Sequence, residues 1–360
     1  MHDSCATSGL DRIQNDEIVM ENRAGLCLCI CILHLNRSKS AIRTVTSITY
    51  HSPFIKYTQT TLAIMSVRWE VTYLRIHADP SGTSLFANGR MQVAANILIK
   101  AINPTNNADY TLTSSELASI QLVDYYNTDE VLSGNWTYTT TENDYAHTMP
   151  SNGFSRLVEA PLNSSMTVGA RILQPNGTWV TTRTSPNDSS IVFRSSPEIK
   201  YSLANCEWWR EDTASGSGWD QDNYFLRSKV HPFKVAERHA YRNETYAVVG
   251  MRNSVAYHRA GPHLHYMWPL GPPTTQNVGL TNYADGRPHP NPWTTNIVIR
   301  QHADSMCLTR LITSGPKDIW SQGWWFEPWV EMFDIYGNTG SFDFAVNEYN
   351  TISVSNHVTS

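Results

Sequence analysis

Two histidines at alternate positions, His263 and His265, stand in the run GPHLHYMW. Side chains two apart on a strand share a face. Two imidazoles at this spacing could hold a transition metal, with His258, His289 or His302 as a third ligand. A second constellation is the run WDQDN, where Asp220 and Asp222 offer oxygen ligands at the spacing that opens a calcium loop. Such a loop next needs an oxygen ligand and then a glycine. Tyr224 and Phe225 stand there instead, which leaves only a looser oxygen site drawing on Glu211 and Asp212. Carboxylate pairs for glycoside hydrolysis could come from Glu207, Asp220, Glu327 and Glu331, all near tryptophans. The plainer reading of each set is histidines packed at a strand edge and acids that solvate a loop. The chain contains no G-x-S-x-G, H-E-x-x-H, Walker A or G-x-G-x-x-G motif, so no catalytic residue is assigned and no cofactor is expected.

The tryptophans are the stronger signal. Nine of the twelve follow residue 200: Trp208, Trp209, Trp219, Trp268, Trp293, Trp320, Trp324, Trp325 and Trp329. Trp208-Trp209 and Trp324-Trp325 are adjacent pairs, so on a strand one ring of each pair faces in and the other out. An outward indole marks a contact surface. Trp208, Trp209, Trp219, Trp324, Trp325 and Trp329 are therefore the expected ligand-binding set, for a glycan, a small ligand or a protein partner. The competing reading is that both faces of these strands are covered and the rings are packing.

What must position these residues is β-structure. Of 360 residues, 41% are hydrophobic, 11% aromatic and only 16% charged, against about 25% charged in an average globular chain. That composition excludes disorder and rod-like folds. VRWEVTYLRIHA (67–78) alternates on Val67, Trp69, Val71 and Tyr73, and its phase blurs at Leu74 and Ile76. Short alternating runs recur between Asn/Gly/Pro turns, including a hairpin turn at Pro175-Asn176-Gly177, and Thr113 or Ser114 ahead of Glu116 marks a one-turn helix start. The helix–strand alternation of nucleotide-binding folds is absent. We expect an all-β chain: an immunoglobulin-like antiparallel sandwich over 65–200, and a second, Trp-rich, sandwich-like half over 201–360. Residues 271–293, rich in proline and glycine, are expected to be a long loop.

The segment LFANGRMQVAANILIKAINPTNNADYTLT (85–113) resembles the opening strands of bacterial immunoglobulin-like repeats of the invasin and intimin type. A short A-x-G turn there leads into an alternating strand and then an Asn-rich hairpin. The resemblance covers about thirty residues and carries neither a Cys…Trp…Cys core nor a tandem array. It implies a sandwich and little about function.

Residues 1–64 read as a poorly structured extension, with the stable product beginning near Met65. The apolar run AGLCLCICILHL is short for a membrane helix, and Asp3, Asp11, Asp16, Glu17 and Glu21 precede it against only Arg12 and Arg23, the wrong sign for a signal peptide. Cys27, Cys29 and Cys31 would share one strand face, with His34 as the nearest fourth metal ligand. Cys206 and Cys307 could pair once or remain two buried thiols. Sequons at Asn36, Asn135, Asn163, Asn176, Asn187 and Asn243 are expected by chance in so Asn/Ser/Thr-rich a chain. With a net charge of −5 and no basic patch, neither a nucleic acid nor a membrane is an expected partner, and a cytoplasmic location is slightly favoured. The expected function is a non-enzymatic binding protein. The alternatives are a metal- or carboxylate-dependent hydrolase, and a β protein that self-associates through open edges into a homo-oligomer.

Overall fold

The computed structural model describes residues 25–32, 68–149, 164–239, 254–258, 263–283, 286–318, 324–325, 328–347 and 351–358, with 25–32, 254–258 and 324–325 described as backbone. Among the described residues are 22 strands, one four-residue helix and one short 3₁₀ turn. The chain is all-β, and every strand pairing is antiparallel except that of β3 with β10.

The first half contains β1 (Gly25–Ile32), β2 (Glu70–Ala78), β3 (Ser84–Phe86), β4 (Gln92–Ile102), β5 (Asp109–Tyr110), helix α1 (Ser114–Leu117), β6 (Gln121–Asp124), β7 (Trp136–Thr139), β8 (Ser165–Leu173), β9 (Trp179–Thr181) and β10 (Ile191–Ser196). One sheet runs β2-β4-β1-β7 and the other β3-β10-β8-β6. Leu74, Ile76, Val93 and Ile97 of the first sheet and Val168, Ala170, Ile172 and Phe193 of the second share one buried core. The blurred phase of β2 has a physical cause. A register shift between Val71 and Tyr73 inserts one residue, so burial passes from Trp69 to Leu74 and Ile76. Helix α1 starts as its spacing predicts. Thr113 and Glu116 form a reciprocal capping box, and Glu116 also accepts the Trp69 indole N–H at 2.7 Å.

Two expectations change here. Gly25–Ile32, read as part of a poorly structured extension, is a strand in register between β4 and β7; its apolar run suits a central strand. The metal reading of its three thiols falls on side chains outside the described residues, as do Met65, His34 and the run YAVVGM (246–251), whose sequence pattern is that of a strand. The sequon at Asn187 has a structural task, since its buried Oδ1 accepts the Leu74 N–H at 3.0 Å.

The second half contains β11 (Cys206–Gly216), β12 (Trp219–Ser228), β13 (Phe233–His239), β14 (Ser254–His258), β15 (His263–Trp268), β16 (Thr274–Asn282), β17 (Pro288–Ile299), β18 (Met306–Thr313), β19 (Trp324–Trp325), β20 (Trp329–Asp334), β21 (Thr339–Asn347) and β22 (Thr351–Asn356). Its central sheet runs β11-β12-β18-β15-β14-β19, and a second sheet runs β13-β20-β21-β22. Residues 271–293 do not form the expected loop. Most of them belong to the β16–β17 hairpin. Prolines 288, 290 and 292 are tolerated because β17 is an edge strand, and Pro290 and Pro292 fall in the register shift between Leu280 and Asn282, where no ladder partner is required of them. The hairpin covers one face of the central sheet through Val278, Leu280, Ile297 and Ile299, while Val330, Met332, Phe342 and Phe344 cover the other. The middle strands β12, β18 and β15 are thus buried on both faces, and their sequences lose polar/apolar alternation.

Among the described residues no sheet mixes strands from before residue 196 with strands from after 206. The halves meet at a buried polar joint. Asp334 Oδ1 accepts the N–H groups of Tyr336 and Asn338, and its Oδ2 accepts the Tyr201 hydroxyl at 2.8 Å and Asn338 Nδ2 at 3.0 Å. Asn338 Oδ1 in turn accepts from Asn88 Nδ2 and from the Ile199 N–H. Gly337 turns the chain here with φ of 83°, and an added Cβ would lie 2.6 Å from the Cβ of Arg90.

Candidate functional site

Trp208 and Trp209 divide between the two faces of β11, as adjacent strand residues must. Trp208 turns toward the β13-β20-β21-β22 sheet and stacks on Tyr224 at 5.6 Å, with Phe344 at 6.1 Å. Trp209 turns to the hairpin side and meets Phe225, directly opposite on β12, at 5.1 Å. Both rings are half-buried, so neither stands clear of the surface as a freely exposed indole would. Trp219 and Trp293, also half-buried, join Trp209 around the rim of the core beneath the hairpin.

Polar groups frame Trp209. Its indole N–H donates to Glu211 Oε1 at 2.9 Å, and the same oxygen lies 2.8 Å from His302 Nε2. The His302 ring sits edge-on to Trp209 at 5.3 Å. The Arg227 guanidinium lies over the indole at 5.0 Å and is bonded to Glu207 Oε2 at 2.6 Å. The indole N–H, with His302 beside it, stabilises the Glu211 carboxylate and holds its pKa below the ordinary range, although partial burial works the other way. Glu207, Trp209 and Glu211 share a face because they are two apart on β11; Arg227 and Phe225 follow the same rule on β12. The result is an aromatic ring ringed by a guanidinium, two carboxylates and an imidazole, each already hydrogen-bonded to a neighbour.

The second set of expected ligands lies on the opposite face of the same sheet. Asp222, Arg310 and His265 are consecutive across β12, β18 and β15, and all three are buried. Arg310 pairs with both Asp222 and Asp220, the latter at 2.9 Å, and Arg210 reaches Asp222 at 2.8 Å. Burial opposes the charge of Arg310, and Asp220 offsets that effect. His263 is half-buried on the same face, two residues along. The spacing of His263/His265 and Asp220/Asp222 thus brings the four residues near one another, but guanidinium groups occupy the carboxylates, and a cation in the row repels another. Of the other imidazoles offered as a third ligand, His289 bonds Asp318 at 3.0 Å and His302 bonds Glu211. His258 lies opposite His263 in the backbone register.

Trp324 and Trp325 pair through β19 with Tyr257 and Ala256, and their side chains lie outside the described residues. Trp329 is on the outer face of the β13-β20-β21-β22 sheet, away from the Trp209 cluster. Cys206 and Cys307 are both free and buried, and burial pushes each thiol up to about 12. Arg227 and the half-exposed Trp179, whose ring carries the Arg171 guanidinium at 4.3 Å, escaped sequence reasoning. An Arg two residues after a buried aromatic carries no pattern of its own until the register sets it beside a tryptophan. Among the described residues no helix is long and apolar enough to cross a membrane. Comparison of the chain with protein-family models, curated proteins and solved structures gave no match.

Proposed function

We propose that the chain is a non-enzymatic binding protein, and that the surface centred on Trp209, at the β11 edge of the second half, is where it contacts a protein partner. The observation that carries this reading is the Trp209–Arg227 pair, with the ring and the guanidinium each fixed by a carboxylate. Trp and Arg are the residues most enriched at interface hot spots, and groups locked before binding lose little entropy on association. Phe225 and Arg227 both lie against the indole, so it offers its rim rather than a bare flat face. That favours a protein over a stacked sugar ring.

The β11 edge also carries Glu207, Arg210, Glu211 and Asp212 and a register shift between Asp212 and Ala214. Charges and bulges of this kind oppose edge-to-edge strand pairing, which weighs against self-assembly through β11. Engagement of Asp220 and Asp222 by Arg310 weighs against a hydrolytic carboxylate pair there.

The test is a comparison of wild type with Trp209→Ala and Arg227→Ala in three parallel assays: partner co-purification from the native source, a glycan array, and sedimentation. A protein retained by wild type and lost by both variants supports the reading. Binding confined to glycans, or a concentration-dependent homo-oligomer disrupted by both variants, contradicts it.

A further inference from the structure

We propose that Glu237, His239 and Glu331 bind one divalent first-row transition-metal ion, of which zinc is the representative, on the outer face of the β13-β20-β21-β22 sheet. The three side chains each offer one ligand atom, and these atoms all lie within 4.8 Å of one another. Two features of the sheet argue for an ion between them.

The first is charge. Glu237 and Glu331 are directly opposite in the β13–β20 register. Like charges in that position destabilise an antiparallel pair. Among the described residues neither carboxylate has a lysine or arginine within salt-bridge distance; the one basic group at hand is His239, with Nε2 4.0 Å from Glu331 Oε2. A divalent ion would cancel both charges at once.

The second is the preparation of the imidazole. His239 lies flat on Trp329, with ring centroids 3.8 Å apart and planes 11° apart. From the other side of β20, His357 stacks on Trp329 at 4.2 Å and 6°, and is itself held by Asp343 at 2.7 Å. This stack fixes the plane of His239 before any ion arrives. Its Nε2 is shielded from solvent, makes no hydrogen bond and faces Glu331 at a distance too long for one. An ion about 2.1 Å from each ligand fits such a gap after small side-chain rotations.

An imidazole nitrogen with two carboxylates suits zinc, manganese, cobalt or nickel and disfavours magnesium and calcium, which take oxygen ligands. Three protein ligands leave at least one position for water. Glu331 stood out only as a candidate carboxylate, because it is far from Glu237 and His239 along the chain and only the β13–β20 register brings the three together.

The experiment is calorimetric titration of zinc into the full chain and into Glu237→Gln and His239→Phe. The phenylalanine keeps the stack on Trp329 and removes both nitrogens. The expected result is one zinc per wild-type chain, at least tenfold weaker binding in each variant, and no competition from millimolar magnesium or calcium. Zinc should raise the thermal midpoint of wild type and leave that of Glu237→Gln unmoved. Without metal, Glu237→Gln should be at least as stable as wild type, since it relieves the Glu–Glu repulsion, so it decides the matter even if His239→Phe folds poorly. No zinc uptake by wild type, uptake unchanged in Glu237→Gln, or displacement by magnesium would overturn the proposal.

Discussion

Asn88 and Asn338 are 250 residues apart in the chain, and they meet with Nδ2 to Oδ1 at 3.0 Å in a site from which solvent is excluded. Asn88 belongs to the turn between β3 and β4, and its Oδ1 accepts the N–H groups of Arg90 and Met91. Asn338 belongs to the β20–β21 turn and is bonded to Asp334. One amide pair therefore couples a turn of each half, and each amide also organises its own turn.

Asn338→Ala should accordingly be costly. It leaves the Ile199 N–H without its partner and takes one of two partners from Asn88 Nδ2, which keeps the Tyr336 carbonyl, and from Asp334 Oδ2, which keeps the Tyr201 hydroxyl. An orphaned buried polar group costs about 1–3 kcal/mol, and the two weakened groups add to it. We expect about 3 kcal/mol of lost stability by urea unfolding. A loss below about 1 kcal/mol would show that the joint does not hold the halves together.

The same joint should weaken in acid. His231 is packed between Phe86 and Tyr336, with Tyr336 4.8 Å away and edge-on. Burial lowers its pKa below 6.5, and Asp334 offsets part of that effect. The unfolded chain then takes up a proton that the folded chain resists. The stability contributed by neutral His231 is complete above about 6.5 and is lost as pH falls from there through the folded value. Urea midpoints measured from pH 7.5 to 5 should fall more steeply for wild type than for His231→Phe. Parallel curves would remove His231 from the account.

Asp222 and Arg310 form a buried ion pair inside the central sheet. Removing Arg310 leaves the buried Asp222 with only the half-exposed Arg210 as a partner, so Arg310→Met should cost about 3 kcal/mol. Asp222→Leu combined with Arg310→Met should recover much of that loss, since a well-packed apolar pair replaces a buried charge pair at little net cost. If Arg310→Met alone is nearly neutral in urea unfolding, the row across β12, β18 and β15 is not a structural ion pair.

How much of this was legible in the sequence varies by element. The blurred phase at Leu74 and Ile76 was visible, though not the bulge that causes it, and Thr113 or Ser114 ahead of Glu116 read as a helix start, because both are local patterns. The β16–β17 hairpin was hidden because its prolines and glycines are the same residues that mark loops, and only an edge position admits them in a strand. Trp209 was visible from the Trp-Trp spacing. Its frame of Arg227 and His302 was not, because cross-strand neighbours follow from register, and nothing local sets register between β11, β12 and the turn that carries His302.

The central claim concerns Trp209, and its chain neighbour Trp208 supplies the control. Trp208 is half-buried like Trp209 but packs on the other face of β11, against Tyr224 and Phe344. Each Trp→Ala should therefore cost a comparable ~1–3 kcal/mol of stability, while only Trp209→Ala should weaken partner binding, by about 2 kcal/mol, roughly thirty-fold. Measuring unfolding and partner affinity side by side for the two variants is the direct test. The account predicts that the affinity loss belongs to Trp209 alone. Partner affinity unchanged in Trp209→Ala, or reduced equally in both variants, would contradict it.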